Sequence, residues 1–451
     1  MVPFGGNFCR VGPTRGTVAP GVRHTWLKAG TVVVVAVALT TAAAVLWGPW
    51  RSAGPTGTPA AQSQASALAA LVTRTEERLA RVPDDWQGWA DLGMAHVQLA
   101  RITADPGHYG PAEEALRHSL SIRGEDRNGP ALTGFAALEA ARHDFAGAER
   151  YARKAVGVDP YAADAYGALA DALIELGRPE DGFAAVQKMV DLRPDTGSYA
   201  RASYTYELRG DLPRALDLMR QAREVATEPG DITFTLTHLA SLAALTGDPA
   251  AAATYVAEGL ARQPGSAPLL AGRAHLAAGR GDTAGAAADL RAALDTLPTP
   301  EYATALGDLL TSTGDVAGAK QAYDVTRAVG STNQPDVDVV LFWADNGEAA
   351  RAVTAAKQLY TTRKSTVVAD ALGWALHRAG RSAEALPHAD DALRLGTRDA
   401  RGHFHRGMIR LALGDRKGAR ADIAEALRID PHFNPLGAET ARTSLAALDA
   451  R

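Results

Sequence analysis

The chain has 451 residues, of which 46% are hydrophobic but only 6% aromatic, and a formal net charge of -4. So slight a charge on so long a chain gives no electrostatic basis for holding nucleic acid. The one cysteine, Cys9, excludes an internal disulfide framework, thiol catalysis in the body and a cysteine-ligated metal cluster.

The charge is unevenly placed. Residues 1–28 carry Arg10, Arg15, Arg23 and Lys28 and no acidic residue, which leaves a mildly acidic remainder. Rich in Gly, Pro and Arg and without helical period, this stretch reads as a basic disordered tail. Residues 29–50, AGTVVVVAVALTTAAAVLWGPW, contain no charged side chain. As a helix, that run spans ~33 Å, enough to cross the hydrocarbon core of a bilayer. Trp26 stands near one end and Trp47 and Trp50 near the other, where interfacial aromatics are favoured. The expectation is a single transmembrane signal anchor, with the tail cytoplasmic by the positive-inside rule and the body outside the membrane. A cleaved signal peptide is the competing reading, although the run exceeds the usual apolar region. Both place the body outside, whereas the reverse orientation of an anchor would leave it in the cytoplasm. Residues 51–66, RSAGPTGTPAAQSQAS, read as a flexible Gly/Pro/Ser/Ala linker.

Helical periodicity begins directly afterwards and continues through 67–451. Leu68, Leu71, Val72 and Leu79 share one face of a leading helix. From Pro83 the chain repeats at intervals near 34 residues. The unit Pro160–Pro194 shows the pattern plainly: Tyr166, Leu169, Ala170 and Leu173 lie on one helix, Gly182, Val186 and Met189 on the next. Gly210-Asp211, Gly247-Asp248, Gly281-Asp282, Gly314-Asp315 and Gly414-Asp415 recur at the turn within the unit. Glycine takes the left-handed conformation that ends one helix, and aspartate caps the next. Alanine stands five residues after the glycine at Ala215, Ala252, Ala286, Ala319, Ala385 and Ala419, where a small side chain lets helices approach. About ten such units fit, with residues 437–449 as a closing helix.

This spacing resembles the tetratricopeptide repeat, W-x2-L-G-x2-Y followed by A-x3-F and P. The resemblance covers the whole of 67–451 and implies an all-α, right-handed superhelical solenoid of about ten helix pairs, preceded here by one transmembrane helix. It also implies that the first helices of the pairs line a concave groove for peptides. Groove positions carried over residue by residue are Met94, Asp171, Tyr204, His275, Asp308, Asp370, Trp374, His377, Phe404 and Met408. The Lys/Asn clamp of the family's chaperone-tail binders is missing, since Gly167, Asp171, Ala200, Tyr204, Thr237 and Ser241 stand there. The expected partner contacts are Tyr204, His275, Trp374, His377, Phe404 and Met408. Among these, Trp374, Phe404 and Met408 form an apolar anchor site, unless they belong to the core.

No enzyme signature is present. There is no H-E-x-x-H, no phosphate-binding Gly-Lys-Ser/Thr loop and no G-x-S-x-G. His403 and His405, two apart on a helix, point to different sides and do not share a metal. Asp84-Asp85 reads as a helix cap and Asp390-Asp391 as a solvated helix edge. No catalytic residue, cofactor or metal is expected. The expected function is a non-catalytic, membrane-tethered scaffold for protein or peptide partners, envelope or secreted proteins among them. The alternative rests on ERLARVPDDWQGWADLG, which resembles the opening of the repeat domain in the bacterial cytochrome c assembly apparatus and implies an envelope chaperone. An enzyme with an unrecognised site is a third reading.

Overall fold

The computed structural model describes residues 59–103, 105–332 and 336–450. The basic tail, the apolar run 29–50 and residues 51–58 lie outside the described residues. The remainder of the expected linker is helical, because the first helix begins at Pro59. Among the described residues there are only helices, and none is long and apolar enough to cross a membrane.

The leading helix α1 (Pro59–Arg81) is followed by ten antiparallel pairs. The first five are α2 (Trp86–Thr103) with α3 (Tyr109–Ile122), α4 (Gly129–Ala141) with α5 (Phe145–Val158), α6 (Ala163–Glu175) with α7 (Pro179–Leu192), α8 (Thr196–Leu208) with α9 (Leu212–Val225), and α10 (Pro229–Leu245) with α11 (Pro249–Arg262). The second five are α12 (Ala267–Gly279) with α13 (Thr283–Thr296), α14 (Pro300–Ser312) with α15 (Val316–Thr332), α16 (Val337–Asp345) with α17 (Ala349–Thr362), α18 (Thr366–Arg378) with α19 (Ser382–Ala392), and α20 (Ala400–Ala412) with α21 (Arg416–Ile429). Helix α22 (Pro435–Asp449) ends the array.

The turn inside each pair follows from the chemistry of its residues. Gly210, at φ +73°, ends α8, and Asp211 accepts a hydrogen bond from the Arg214 amide at 3.2 Å to start α9. The same arrangement recurs at Asp248, Asp282, Asp315 and Asp415, whose side chains accept from the amide three residues on at 2.8–2.9 Å. Each such cap contributes about 1 kcal/mol. In the second pair His143 takes the place of glycine at φ 61°, with Asp144 capping α5. The alanines five residues beyond the turn glycines are at most 4% exposed. Helices α6 and α7 approach so closely at Gly182 that a Cβ there would lie 2.7 Å from Ile174 Cγ1. Stacked pairs bury Leu169, Leu173, Val186 and Met189 between them, each worth roughly 1.5–3 kcal/mol of apolar burial.

The row of pairs bends round until turns five to six pairs apart meet. The Lys364 amide donates to the Glu175 carbonyl at 2.8 Å, and Arg363 Nε donates to Glu175 Oε2 at 2.6 Å. One pair further on, Thr397 Oγ1 donates to the Leu208 carbonyl at 2.6 Å, and Leu395 packs among Ile174, Phe183 and Leu208. Beyond that seam, the turn before α22 reaches back to the inner helices. His275 Nε2 lies 3.2 Å from Asp430 Oδ2, and Asn434 Nδ2 donates to Asp308 Oδ2 at 2.5 Å. The concave face is therefore enclosed by the protein itself.

Candidate functional site

The first helices of the pairs face this enclosed space and carry its charge. Asp171 on α6 accepts from Arg201 on α8, at 3.0 Å from Nε and 2.8 Å from Nη2, with both side chains at most 8% exposed. Asp370 on α18 pairs with His405 on α20 at 2.9 Å. Burial pushes the Asp370 carboxyl upward, but the charge and hydrogen bond of His405 carry it below the ordinary carboxylate range. Glu301, near the start of α14, keeps solvent-accessible surface, yet its carboxyl is pushed up to about 8 by burial and by Asp338 and Asp336, with Arg401 opposing. These first helices line an internal channel, closed by the contacts at Glu175, Leu208, Asp308 and His275.

The expected contact residues divide into two groups. Tyr204 and His275 lie on the wall of the channel, but His275 is engaged as a strut to Asp430, whose hydrogen bond raises its pKa despite burial. Trp374 and Phe404 are 3% and 5% exposed and belong to the core between pairs, so they present no open anchor surface. The Trp374 ring stacks on His405 at 4.1 Å and its Nε1 donates to Asp345 Oδ1 at 2.9 Å, while Phe404 meets Phe433 at 5.4 Å. Met408 packs against the same core under Ser444 of α22. His377 lies against Trp374, accepts or donates at Ser382 Oγ over 3.0 Å, and is pushed down to about 4 by burial and by Arg378.

Around Tyr204 the wall opens into a cavity lined by Asp171, Tyr204, Glu207, Phe234 and His238, among others. Its volume, about 20 Å³, is room for one water-sized group. Tyr204 and Glu207 are three apart on α8, and Phe234 and His238 four apart on α10, so each pair shares a helix face. Among the described residues, the Tyr204 hydroxyl, the Glu207 carboxyl and the His238 imidazole have no hydrogen-bond partner, and His238 rests on the Phe234 ring at 4.4 Å. Burial alone pushes Glu207 up to about 7 and His238 down to about 4. It also raises Tyr204, helped by the nearby carboxylates of Glu175 and Glu207. Neighbouring Arg201 is already neutralised by Asp171, and three partly exposed polar groups line the cavity without a protein hydrogen-bond partner among the described residues. Only Tyr204 of the three was visible by repeat position; Glu207 and His238 come into view through the Tyr-x2-Glu and Phe-x3-His spacings once α8 and α10 are known to be neighbours.

Family matches are to the tetratricopeptide repeat, over residues 139–203 by one form of the repeat and over 269–331 and 371–432 by another. No curated protein matches the sequence. Among solved structures, the APC/C hetero-tetramer Cut9–Hcn1 is similar at 13% identity and a TM-score of 0.38, covering 86% of this chain and 94% of that one. The human IFIT1 dimer with m7Gppp-AAAA is similar at 13% identity and a TM-score of 0.47, over 73% and 77%. A repeat protein from Parabacteroides merdae ATCC 43184 is similar at 19% identity and a TM-score of 0.32, over 56% and 98%.

Proposed function

Because the chain is a tetratricopeptide repeat protein, we propose that it is a non-catalytic scaffold that holds a protein or peptide partner against the inner wall of its array. The observation that carries this reading is the cavity at Tyr204. Tyr204, Glu207 and His238, each partly exposed, line one space and have no protein hydrogen-bond partner among the described residues. The cavity itself is too small for a whole ligand and is suited to receiving one side chain from a longer segment. The uncharged run Ala29–Trp50 supports a membrane tether, with the basic tail in the cytoplasm and the repeats outside the membrane.

A photo-crosslinking residue placed at Tyr204 of the full-length chain tests the scaffold reading, with Tyr161, 79% exposed on an outer turn, as the control position. A discrete crosslinked partner from position 204 and none from 161 is the expected result. Crosslinks from 161 alone, or from neither, overturn it. Protease added to intact protoplasts tests the tether: digestion of the repeats is expected, and their protection overturns the orientation.

A further inference from the structure

We infer that the cavity between α8 and α10 is a lysine-binding subsite, in which a partner's ε-ammonium sits among the Tyr204 hydroxyl, the Glu207 carboxylate and the His238 imidazole. This rests on the scaffold reading above and specifies the chemistry that it recognises. A lysine ammonium carries three donors and no acceptor. The cavity presents three groups able to accept: a phenolic oxygen, a carboxylate and, in a neutral imidazole, one ring nitrogen. None of the three has another partner among the described residues.

Size agrees with donor count. At about 20 Å³ the cavity admits one water-sized group. A compact ammonium with three donors suits such a space and its three acceptors better than a planar guanidinium with five. The walls agree as well. Tyr204 and Phe234 set aromatic rings beside the space, where a cation is attracted to the ring face, and Ile174, Val186, Ala200 and Met219 supply apolar surface for the lysine stem. The one cation among the residues lining the cavity, Arg201, is held by both oxygens of Asp171 and makes no hydrogen bond to Glu207.

Charge supplies the selectivity. Without a cation, desolvation holds Glu207 substantially protonated near neutral pH. Entry of an ammonium restores the carboxylate and makes a charge-assisted hydrogen bond in a low-dielectric site. A water molecule satisfies the same atoms but brings no charge, so it does not compensate an ionised Glu207.

The test uses the full-length chain in detergent and the tripeptide Ac-Ala-Lys-Ala-amide, followed by saturation-transfer NMR on the lysine ε-methylene protons. The norleucine and arginine versions of the peptide serve as comparisons. The lysine peptide is expected to bind, with affinity falling about tenfold or more in Glu207→Gln, since hydrogen bonds to charged groups carry ~1.5–3 kcal/mol. Tyr204→Phe is expected to cause a smaller loss. Glu207→Gln is nearly isosteric with the protonated acid, so an unchanged circular dichroism spectrum and melting temperature are expected alongside. Equal binding of the norleucine or arginine peptide overturns the assignment, as does unchanged affinity in Glu207→Gln or no lysine signal at all. If position 204 still crosslinks a partner while any of these holds, the lysine assignment falls and the scaffold reading stands.

Discussion

Glu175 and Arg363, 188 residues apart, form a buried ion pair at 2.6 Å with each side chain at most 7% exposed. It sits beside the Lys364-to-Glu175 backbone hydrogen bond and the Phe145 ring, over which the Arg363 guanidinium lies at 5.6 Å. Removing one member leaves the other charge buried and unpaired, at a cost of about 3–5 kcal/mol. Glu175→Gln and Arg363→Met are each expected to lower the urea midpoint and to lengthen the maximum dimension in small-angle scattering as the seam parts. The double variant is expected to lose less than the sum of the two. An unchanged scattering profile in both single variants contradicts the seam.

Gly210 and Gly247 separate backbone strain from steric closure. Both have positive φ, +73° and +82°, but a Cβ at Gly247 meets open space, whereas one at Gly210 falls 2.3 Å from the Gly396 carbonyl oxygen. Alanine at either site carries the left-handed penalty of ~1–2 kcal/mol. Gly210→Ala is expected to cost more and, alone of the two, to raise hydrogen exchange around residues 394–398. Equal melting temperatures for the two variants refute the close approach.

Trp374→Ala and Phe404→Ala remove core side chains and are expected to destabilise by about 3–5 kcal/mol each. Trp374→Phe, which keeps most of the volume but leaves Asp345 without its indole donor, is expected to cost less. Chemical denaturation distinguishes this from the alternative, a loss of partner binding at wild-type stability.

Above neutral pH stability is expected to fall with rising pH; at lower pH His143, His238 and His377, each pushed down to about 4 chiefly by burial, act in the opposite direction. Glu301 has its folded pKa raised from 4.5 to about 8, chiefly by burial and then by Asp338, which is itself raised. Above 4.5 the unfolded chain ionises this group and the folded chain resists, so stability is lost as pH rises towards 8 and then levels. His275 acts in the same direction: raised by Asp430, it contributes stability below its ordinary pKa that is lost as pH climbs through the folded value. Urea midpoints compared from about pH 7 to about pH 8.5, where those histidines are largely neutral in the folded and unfolded chain alike, should therefore decline, and Glu301→Gln should flatten the decline. A wild-type midpoint that rises over this range contradicts the raised pKa of Glu301.

Much of the architecture was legible because it is written locally. A left-handed glycine, a capping aspartate and an alanine five residues on act within one turn of chain, so their recurrence exposes each helix pair without reference to anything distant. His143 shows the limit: it performs the glycine's role in the second pair, histidine being one of the few side chains tolerated there, and the repeat looks weak in sequence although its geometry is intact. The contact residues were less legible. In α18 every residue from Val368 to Leu376 is buried, so an inner helix has no broad polar face, and an error of one position exchanges a channel residue for a core residue. Trp374 and Phe404 fall on the core side of that line and Tyr204 on the channel side.

The sequence by itself determined the helices, their pairing and the all-α repeat, since these depend on hydrogen bonds and contacts within about one repeat length. Only the tertiary structure decided that Glu175 meets Arg363, that Leu208 meets Thr397 and that Tyr204, Glu207 and His238 share a cavity. Small rotations between neighbouring pairs add up along the array, and no local pattern records the sum. Whether the concave face is an open groove or an enclosed channel depends on that sum.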